Sequence, residues 1–401
     1  MRRALIIGGG IAGPVAAIAL QRVGIESTIY EAHAESADPP GAFLTVAVNG
    51  LDALKSLDLH RTVMEAGFPS RAISFVSGNG KRLGRVPIGG ELQDGTVTHT
   101  LKRADLYRIL KGEAARRGIV IEHGKRLADA EPGNGGVVAQ FEDGSEAAGD
   151  LLIGADGIHS RTRRIIDPNA PGPRYTGLGN IGGFTRVAGV AIEPGAYVMM
   201  FGRRAFFGYT VSSSGEIWWF ANPPGHEALT GVRLTTIGTE LWKARLITYF
   251  AEDAGPAVEI IHSTPLIQGG TNQYDLPSVP RWWRGPMIII GDAAHAASPS
   301  SGQGASMAIE DAVVLARCLR DLPDPGSGFA AFEQLRRARV ERVVAFGARG
   351  ARGKAPGPIA RVVRDLVLPM ILKRFAVASQ DWLFRYHIDW EARIDVTVQA
   401  A

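Results

Sequence analysis

Residues 4–31 restrict the fold more than any other stretch of the chain. Ala4–Ile7 is a short apolar run ending in Gly8-Gly9-Gly10, as expected of a parallel strand buried on both faces. Ile11–Val23 is alanine-rich with helical spacing, and Gly24 stands where a helix C-terminal cap belongs. Ser27–Tyr30 reads as a second strand, closed by Glu31. Gly8, Gly10 and Gly13 have the spacing of a dinucleotide turn. Gly8 permits the bend, Gly10 lets backbone approach a diphosphate, and Gly13 lets helix and strand touch. The helix start adds free N–H groups and about half a positive charge for the phosphates. Pro14 is harmless in a first turn, where no helical N–H bond is lost. Glu31 can accept both ribose hydroxyls and would repel a 2′-phosphate, so the ligand is FAD or NAD. The fingerprint does not separate those two.

Composition narrows the setting. The 401 residues suit two or three domains, and 45% apolar with 21% charged residues excludes a disordered chain. A net charge of +4 is too mild for a nucleic-acid protein. The single cysteine, Cys318, excludes an intrachain disulfide framework or a thiolate metal cluster and fits a reducing, cytoplasmic compartment. Arg2 and Arg3 precede an apolar run that stops at Gly8, too short for a signal peptide or a membrane span. No metal-ligand spacing is visible, and Ser298, Ser300 and Ser301 lack the glycine elbow of a serine nucleophile.

Along the chain, Ala104–Arg117 has helical periodicity and Ile119–Glu122 reads as a strand. Val137–Phe141 and Glu146–Ala148 flank Asp143-Gly144, a hairpin signal, and Leu151–Ile153 is a buried strand ending in Gly154-Ala155-Asp156-Gly157. From about residue 182 short strands follow one another: Phe184–Val190, Tyr197–Phe201, Ala205–Val211 and Ile217–Ala221. This succession predicts an antiparallel sheet, and it concentrates Phe206, Phe207, Tyr209, Trp218, Trp219 and Phe220. Thr235–Phe250 is a helix candidate, Met287–Ile290 a buried strand and Gly304–Leu322 a long amphipathic helix. From Phe329 onward the chain is helical and basic; residues 334–374 hold eleven Lys/Arg against two acids, 11 − 2 = +9. A solvated helical face is the simplest account of that charge. Val362–Val377 is amphipathic, and core packing is expected of it in preference to a membrane surface.

A second glycine site lies late in the chain. Gly291-Asp292 follows the strand Met287–Ile290, and Pro299-x-x-Gly302-Gln303-Gly304 leads into the helix from Ala305. Asp292 at a strand end can accept from a polyol, and a glycine turn at a helix start can stabilise developing negative charge. Two such starts suit a long ligand with anionic demand at both ends. FAD has that form and NAD does not.

Three motifs now stand in order. They are Gly8–Gly13 with Glu31; Gly154-Ala155-Asp156-Gly157 through Ser160 to Arg163; and Gly291-Asp292-Ala293-Ala294-His295 through Pro299, Gly302-Gln303-Gly304 and Glu310-Asp311. From about residue 3 to 345 the chain resembles the single-component FAD-dependent monooxygenases of the para-hydroxybenzoate hydroxylase-like family, nearest its salicylate- and urate-hydroxylase-like branch. The resemblance implies an α/β, Rossmann-like FAD-binding fold with an inserted mixed or antiparallel substrate sheet and a helical C-terminal tail. The expected FAD domain is 1–70, 101–167 and 266–345; the sheet domain is 71–100 and 168–265; the tail is 346–401. It implies that Gly8, Gly10, Gly13 and Glu31 hold the ADP half, Arg103 the phosphate region and Leu127 the adenine. Asp156 would serve FAD and NAD(P)H together, and Asp292 the ribityl or diphosphate portion. Pro299 and the turn Gly302, Gln303, Gly304, Ala305 would lie beside the flavin ring. Ser306 stands where many relatives have Asn, near that ring.

The implied activity is that of a non-covalent FAD enzyme. It takes hydride from NAD(P)H, which visits transiently because no second fingerprint exists, and hydroxylates an aromatic or polycyclic small molecule through a C4a-hydroperoxyflavin. Arg204 and Tyr209 are the candidate catalytic residues at the substrate. Trp218 and Trp219 point to opposite faces of a strand, so at most one lines the pocket. Baeyer–Villiger insertion, epoxidation and a non-catalytic ligand-sequestering role stay open as alternatives, as does a homodimer. No nucleic acid, metal or transmembrane segment is expected.

Overall fold

The computed structural model describes residues 2–34, 42–133, 135–190, 192–225, 228, 237–354, 357–375 and 380–394. Its first sheet has six strands in the order 283–284, 287–289, 151–154, 3–7, 26–31, 120–123. All neighbours are parallel except the first pair. The inner strands read almost unbroken as buried residues, because helices cover one face and a three-stranded sheet (127–133, 136–141, 146–149) packs against the other, with Phe141 on Tyr30. The opening helix Ala12–Arg22 packs along the helix Gly304–Asp321, which brings the two glycine motifs to one side of the sheet.

A second sheet has seven strands in the order 267–275, 174–185, 217–222, 206–211, 196–201, 72–77, 82–87. It is antiparallel apart from the pair 72–77 and 196–201. The strand expected at 184–190 instead runs Arg174–Thr185, and Ile267–Asp275 extends the sheet past the expected boundary at 265. Thr235–Phe250 begins as a helix at Thr239; residues 235 and 236 lie outside the described residues. Strand alternation splits the aromatics. Phe207, Tyr209 and Trp219 pack under the helices Thr239–Phe250 and Ala257–His262 with Trp242, Leu246 and Phe250. Phe184, Trp218, Phe220 and Phe206 face the other way, where Phe43 packs against the first three. A small sheet (43–46, 99–102, 68–69) closes over them, with Phe43 and Phe68 at 5.6 and 5.0 Å from Trp218.

Helix Pro325–Arg352 then packs on helix Gly304–Asp321 and runs unbroken through the boundary expected at 346. The outer helix Pro358–Phe375 overturns the expectation of core packing. Arg361 and Arg364 face the protein: Arg361 donates to Arg203 O at 2.9 Å, and Arg364 lies 4.4 Å from the Phe201 ring. Its apolar stripe, Ile359, Val362, Val363, Leu366, Val367, Met370 and Ile371, faces outward, with Met370 71% exposed. Residues 376 and 377 of the amphipathic stretch lie outside the described residues.

Candidate functional site

Backbone crowding explains the first loop. Gly8 adopts φ +108°, and a Cβ there would sit 2.4 Å from Ala155 O. A Cβ on Gly13 would meet Gly8 O at 1.9 Å, so helix and strand touch only because both positions are glycine. Gly10 is different: the nearest atom to its missing Cβ is the Tyr107 hydroxyl at 3.9 Å, which leaves open space above the turn. Glu31 guards that space. Its carboxylate accepts from Gly9 N at 2.7 Å and His33 N at 2.8 Å, and lone pairs remain for two hydroxyls. The helix start at Ala12 has no side-chain cap.

Arg103 hangs over the same turn. Its Nη2 and Nε donate to the Tyr107 hydroxyl at 2.8 and 3.1 Å, one helical turn onward. It also lies near enough to Asp292 to oppose a rise in that acid's pKa, so it stands between the first and third motifs. Tyr107 was missed in the sequence; its i, i+4 spacing from Arg103 was the available signal. Leu127 is buried at the start of its strand, opposite Phe141.

Asp292 opens to the cleft but is enclosed by protein on most sides. Desolvation raises its pKa, against the pull of His295 and Arg103, and its carboxylate has no protein partner among the described residues. Beyond it, Pro299 is exposed, Gly302 adopts φ +62°, and nothing lies within 4 Å of a Cβ on Gly304. Helix Gly304–Asp321 likewise starts without a side-chain cap, so its first N–H groups, with the half-buried Ala305, face the open cleft. The Thr45 hydroxyl donates to Gly302 O at 3.4 Å, which ties this loop to the strand that carries Phe43.

Five assignments need correction. The Asp156 carboxylate is taken up by its own loop: Ser160 Oγ, Arg161 N, Thr162 N and Thr162 Oγ1 donate to it at 2.6–3.0 Å, starting the helix Arg161–Ile166. The Gln303 side chain is fully buried and accepts from Asn49 Nδ2 at 2.9 Å, so only its backbone belongs to the loop. Ser306 accepts from Ala47 N at 3.0 Å, and a Cβ on Gly50 would sit 2.7 Å from its hydroxyl; it points into the helix Val48–Lys55, away from the cleft. Arg204 sits exposed on the 201–206 turn and pairs with Glu252. Tyr209 is buried on the sheet face opposite the loops, where burial raises its pKa.

Beneath both late loops lies a buried charge network. Asp311 accepts from Gly291 N at 2.8 Å, His295 Nε2 at 2.5 Å and Arg336 Nε at 2.7 Å. Burial works to raise Asp311, but His295 and Arg336 prevail and hold it at about 2. Glu310 takes Arg336, Arg339 and Asn49 Nδ2. Two carboxylates thus face two guanidiniums, and Tyr386 lies 5.1 and 4.2 Å from those of Arg336 and Arg339. Arg163, fully buried, joins the middle motif to the third by donating to Ala293 O and Ile158 O at 2.9 and 2.8 Å. A cavity of about 750 Å³ against Trp242, Leu246 and Ile181 lies on the far side of the seven-stranded sheet, apart from these loops.

The open cradle at Gly10, the partnerless Asp292 and two uncapped helix starts fit a long dinucleotide with a diphosphate, a polyol and a ring. A protein-family model described as an FAD binding domain matches residues 2–347. The chain is 31% identical over 346 residues to an FAD-dependent urate hydroxylase of Klebsiella pneumoniae, covering 85% of this chain and 88% of the relative. It is 30% identical over 371 residues to an aurachin C monooxygenase/isomerase of Stigmatella aurantiaca, covering 92% and 94%. The solved structure of Klebsiella pneumoniae HpxO complexed with FAD and uric acid is similar with a TM-score of 0.83 at 27% identity, over 95% of this chain and 96% of that one. Loops, fold and relatives agree: the chain belongs to the para-hydroxybenzoate hydroxylase-like family of FAD-dependent monooxygenases.

Proposed function

We propose that the chain hydroxylates an electron-rich aromatic or fused-ring small molecule on the aromatic face of its seven-stranded sheet, using NAD(P)H and dioxygen. The observation that carries this reading is the meeting of two surfaces. Phe43, Phe184, Trp218 and Phe220 cluster on one side of the sheet, and Thr45, two residues past Phe43, bonds Gly302 O in the loop whose helix start carries uncapped N–H groups. These rings meet tilted or edge to face, and an apolar aromatic lining of that kind suits a flat ring ligand. Relatives named for urate and for 3-amino-4-hydroxybenzoate act on rings of that kind.

Each residue then has a task. Gly8, Gly10, Gly13 and Glu31 hold the ADP half, with Leu127 beside the adenine. Arg103, between Gly10 and Asp292, neutralises the diphosphate, and Asp292 accepts from the ribityl chain. Pro299, Gly302, the Gln303 backbone, Gly304 and Ala305 line the redox ring. FAD bound there supplies hydride acceptance from NAD(P)H and activation of dioxygen. The helix start at Gly304 favours negative charge on the ring without reorganisation, and the aromatic lining excludes water. No helix among the described residues is long and apolar enough to cross a membrane. We place the enzyme in the cytoplasm, where NAD(P)H is supplied.

The test is substrate-stimulated turnover. Purified FAD-loaded protein should oxidise NAD(P)H slowly alone and several-fold faster with a matching ring compound, giving hydroxylated product in near-stoichiometric yield. Stimulation that yields hydrogen peroxide alone across phenols, quinolones and polyketide aromatics would contradict the reading.

A further inference from the structure

One cation on the ring-facing side of the sheet has no role in the account above. Lys354, just past the end of helix Pro325–Arg352, is 7% exposed. Its Nζ donates to Asn222 Oδ1 at 2.7 Å and stands 4.5 Å from the Phe206 ring centroid and 5.5 Å from that of Phe220. The other end of the Asn222 amide fixes this arrangement. Its Nδ2 donates to Gly179 O at 3.0 Å and Asn180 Oδ1 at 3.1 Å, which leaves only the oxygen for the lysine.

An ammonium has three donors, and among the described residues one of them meets an acceptor. No carboxylate among the described residues pairs with it, and burial alone pushes the amine down to about 7. A buried cation without a counter-charge is costly, and a purely structural position would be filled better by leucine or methionine. What the surroundings lack is an oxyanion.

The position suits a substrate atom. Gly347 and Gly350 of the same helix lie against the 298–301 segment: Cβ atoms there would stand 3.1 Å from Ser301 Cβ and 3.3 Å from Ser300 Cβ. Lys354 follows Gly350 by one turn, about 6 Å along the axis. Phe220, against the amine, is 6.2 Å from Phe43, and Thr45 on the Phe43 strand bonds Gly302 O. The amine therefore lies on the ring-bearing side of the sheet, joined through Phe220 and Phe43 to the strand that bonds the 299–305 loop.

We propose that Lys354 is the residue that receives the acidic ring hydroxyl of the substrate, so that the preferred substrates are acidic phenols and enols of fused rings, and not their ethers or parent hydrocarbons. The proposal rests on the hydroxylase reading above and deepens it. When the neutral amine meets a neutral hydroxyl, the O–H bond breaks and an N–H bond forms. The proton moves to Nζ and the electron pair stays on oxygen, so the buried charge remains balanced. The resulting oxyanion feeds electron density into the ring that is to be oxygenated. A substrate that arrives already ionised pairs with the ammonium directly.

The experiment uses FAD-loaded wild type, Lys354→Met, Lys354→Gln and Lys354→Arg, titrated with 4-hydroxycoumarin and 4-methoxycoumarin while flavin absorbance and NADPH oxidation are followed. The wild type should bind the hydroxy compound about tenfold or more tightly than the ether, as a charge-assisted bond warrants. Both neutral variants should lose that preference with flavin content unaltered, and Lys354→Arg should keep part of it. Because the hydroxy compound is ionised throughout, its wild-type affinity should fall between about pH 6 and 9 as the ammonium is lost, and the affinity of Lys354→Met should not. Equal affinity of the wild type for the pair, absence of binding included, overturns the proposal; so does a preference that Lys354→Met or Lys354→Gln retains. A lysine-dependent preference without NADPH oxidation supports the lysine site and counts against the hydroxylase reading, so the two fail separately.

Discussion

Glu310 and Asp311 are sequence neighbours that support different parts of the flavin site. Asp311 fixes Gly291 and His295 behind Asp292, and Glu310 fixes Asn49 behind Gln303. Arg336 binds both acids and makes one buried unit of them. Removing one partner of such a unit leaves an unpaired buried charge, so Asp311→Asn should destabilise the protein by about 3–5 kcal/mol in urea unfolding and lower its FAD retention. The pH dependence follows from the sign of the shift. Asp311 sits at about 2, below its unfolded value, so its contribution is complete above about pH 4 and is lost as pH falls toward 2. The pair was visible in the sequence as part of a motif, but its role was not, because Asn49, Arg336 and Arg339 come from distant segments. Arg204 and Tyr209 failed for a simpler reason. Tyr209 shares strand parity with Phe207, on the core side, whereas Phe206 and Gly208 carry the ring-facing side. The same alternation correctly separated Trp218 from Trp219.

At the level of elements, glycine loops and buried strands were legible because each obeys a local rule. Gly8 and Gly13 are required by backbone contacts that any side chain would break, and Ala4–Ile7 must be apolar because both faces are covered. Helix Pro358–Phe375 shows where local rules end. Its amphipathic period was readable, but periodicity does not say which face turns inward. Here Arg361 and Arg364 turn inward, to Arg203 O and the Phe201 ring, and the apolar stripe turns out. Such a stripe adds little buried area to folding. Leu366→Gln with Met370→Gln should therefore change unfolding free energy by less than about 0.5 kcal/mol in chemical denaturation. A loss of several kcal/mol would mean that this face is covered in the folded protein.

On the scale of the whole molecule, two sheets built from interleaved segments meet along one cleft. The first sheet carries Gly8–Gly13 and Asp292 at its strand ends, where ligands of open parallel sheets bind. The second turns its aromatic face to the Phe43 strand, whose Thr45 bonds Gly302 O, and helix Pro325–Arg352 spans from the Glu310–Asp311 network to Lys354 beside that face. The resemblance carried by the three motifs implied an FAD-binding fold with an inserted sheet, but not the place of Lys354. The exact division of strands did not follow, since Ile267–Asp275 joins the second sheet by pairing with Arg174–Thr185, a contact without a local signal. The central claim is that the cleft delivers one atom of dioxygen to a ring held on the aromatic face. Turnover under oxygen-18 gas with an accepted ring compound, followed by mass spectrometry of the product, tests it most directly. The account predicts a mass gain of one labelled oxygen per product; an unlabelled product, or consumption of NADPH with all the label in hydrogen peroxide, would contradict it.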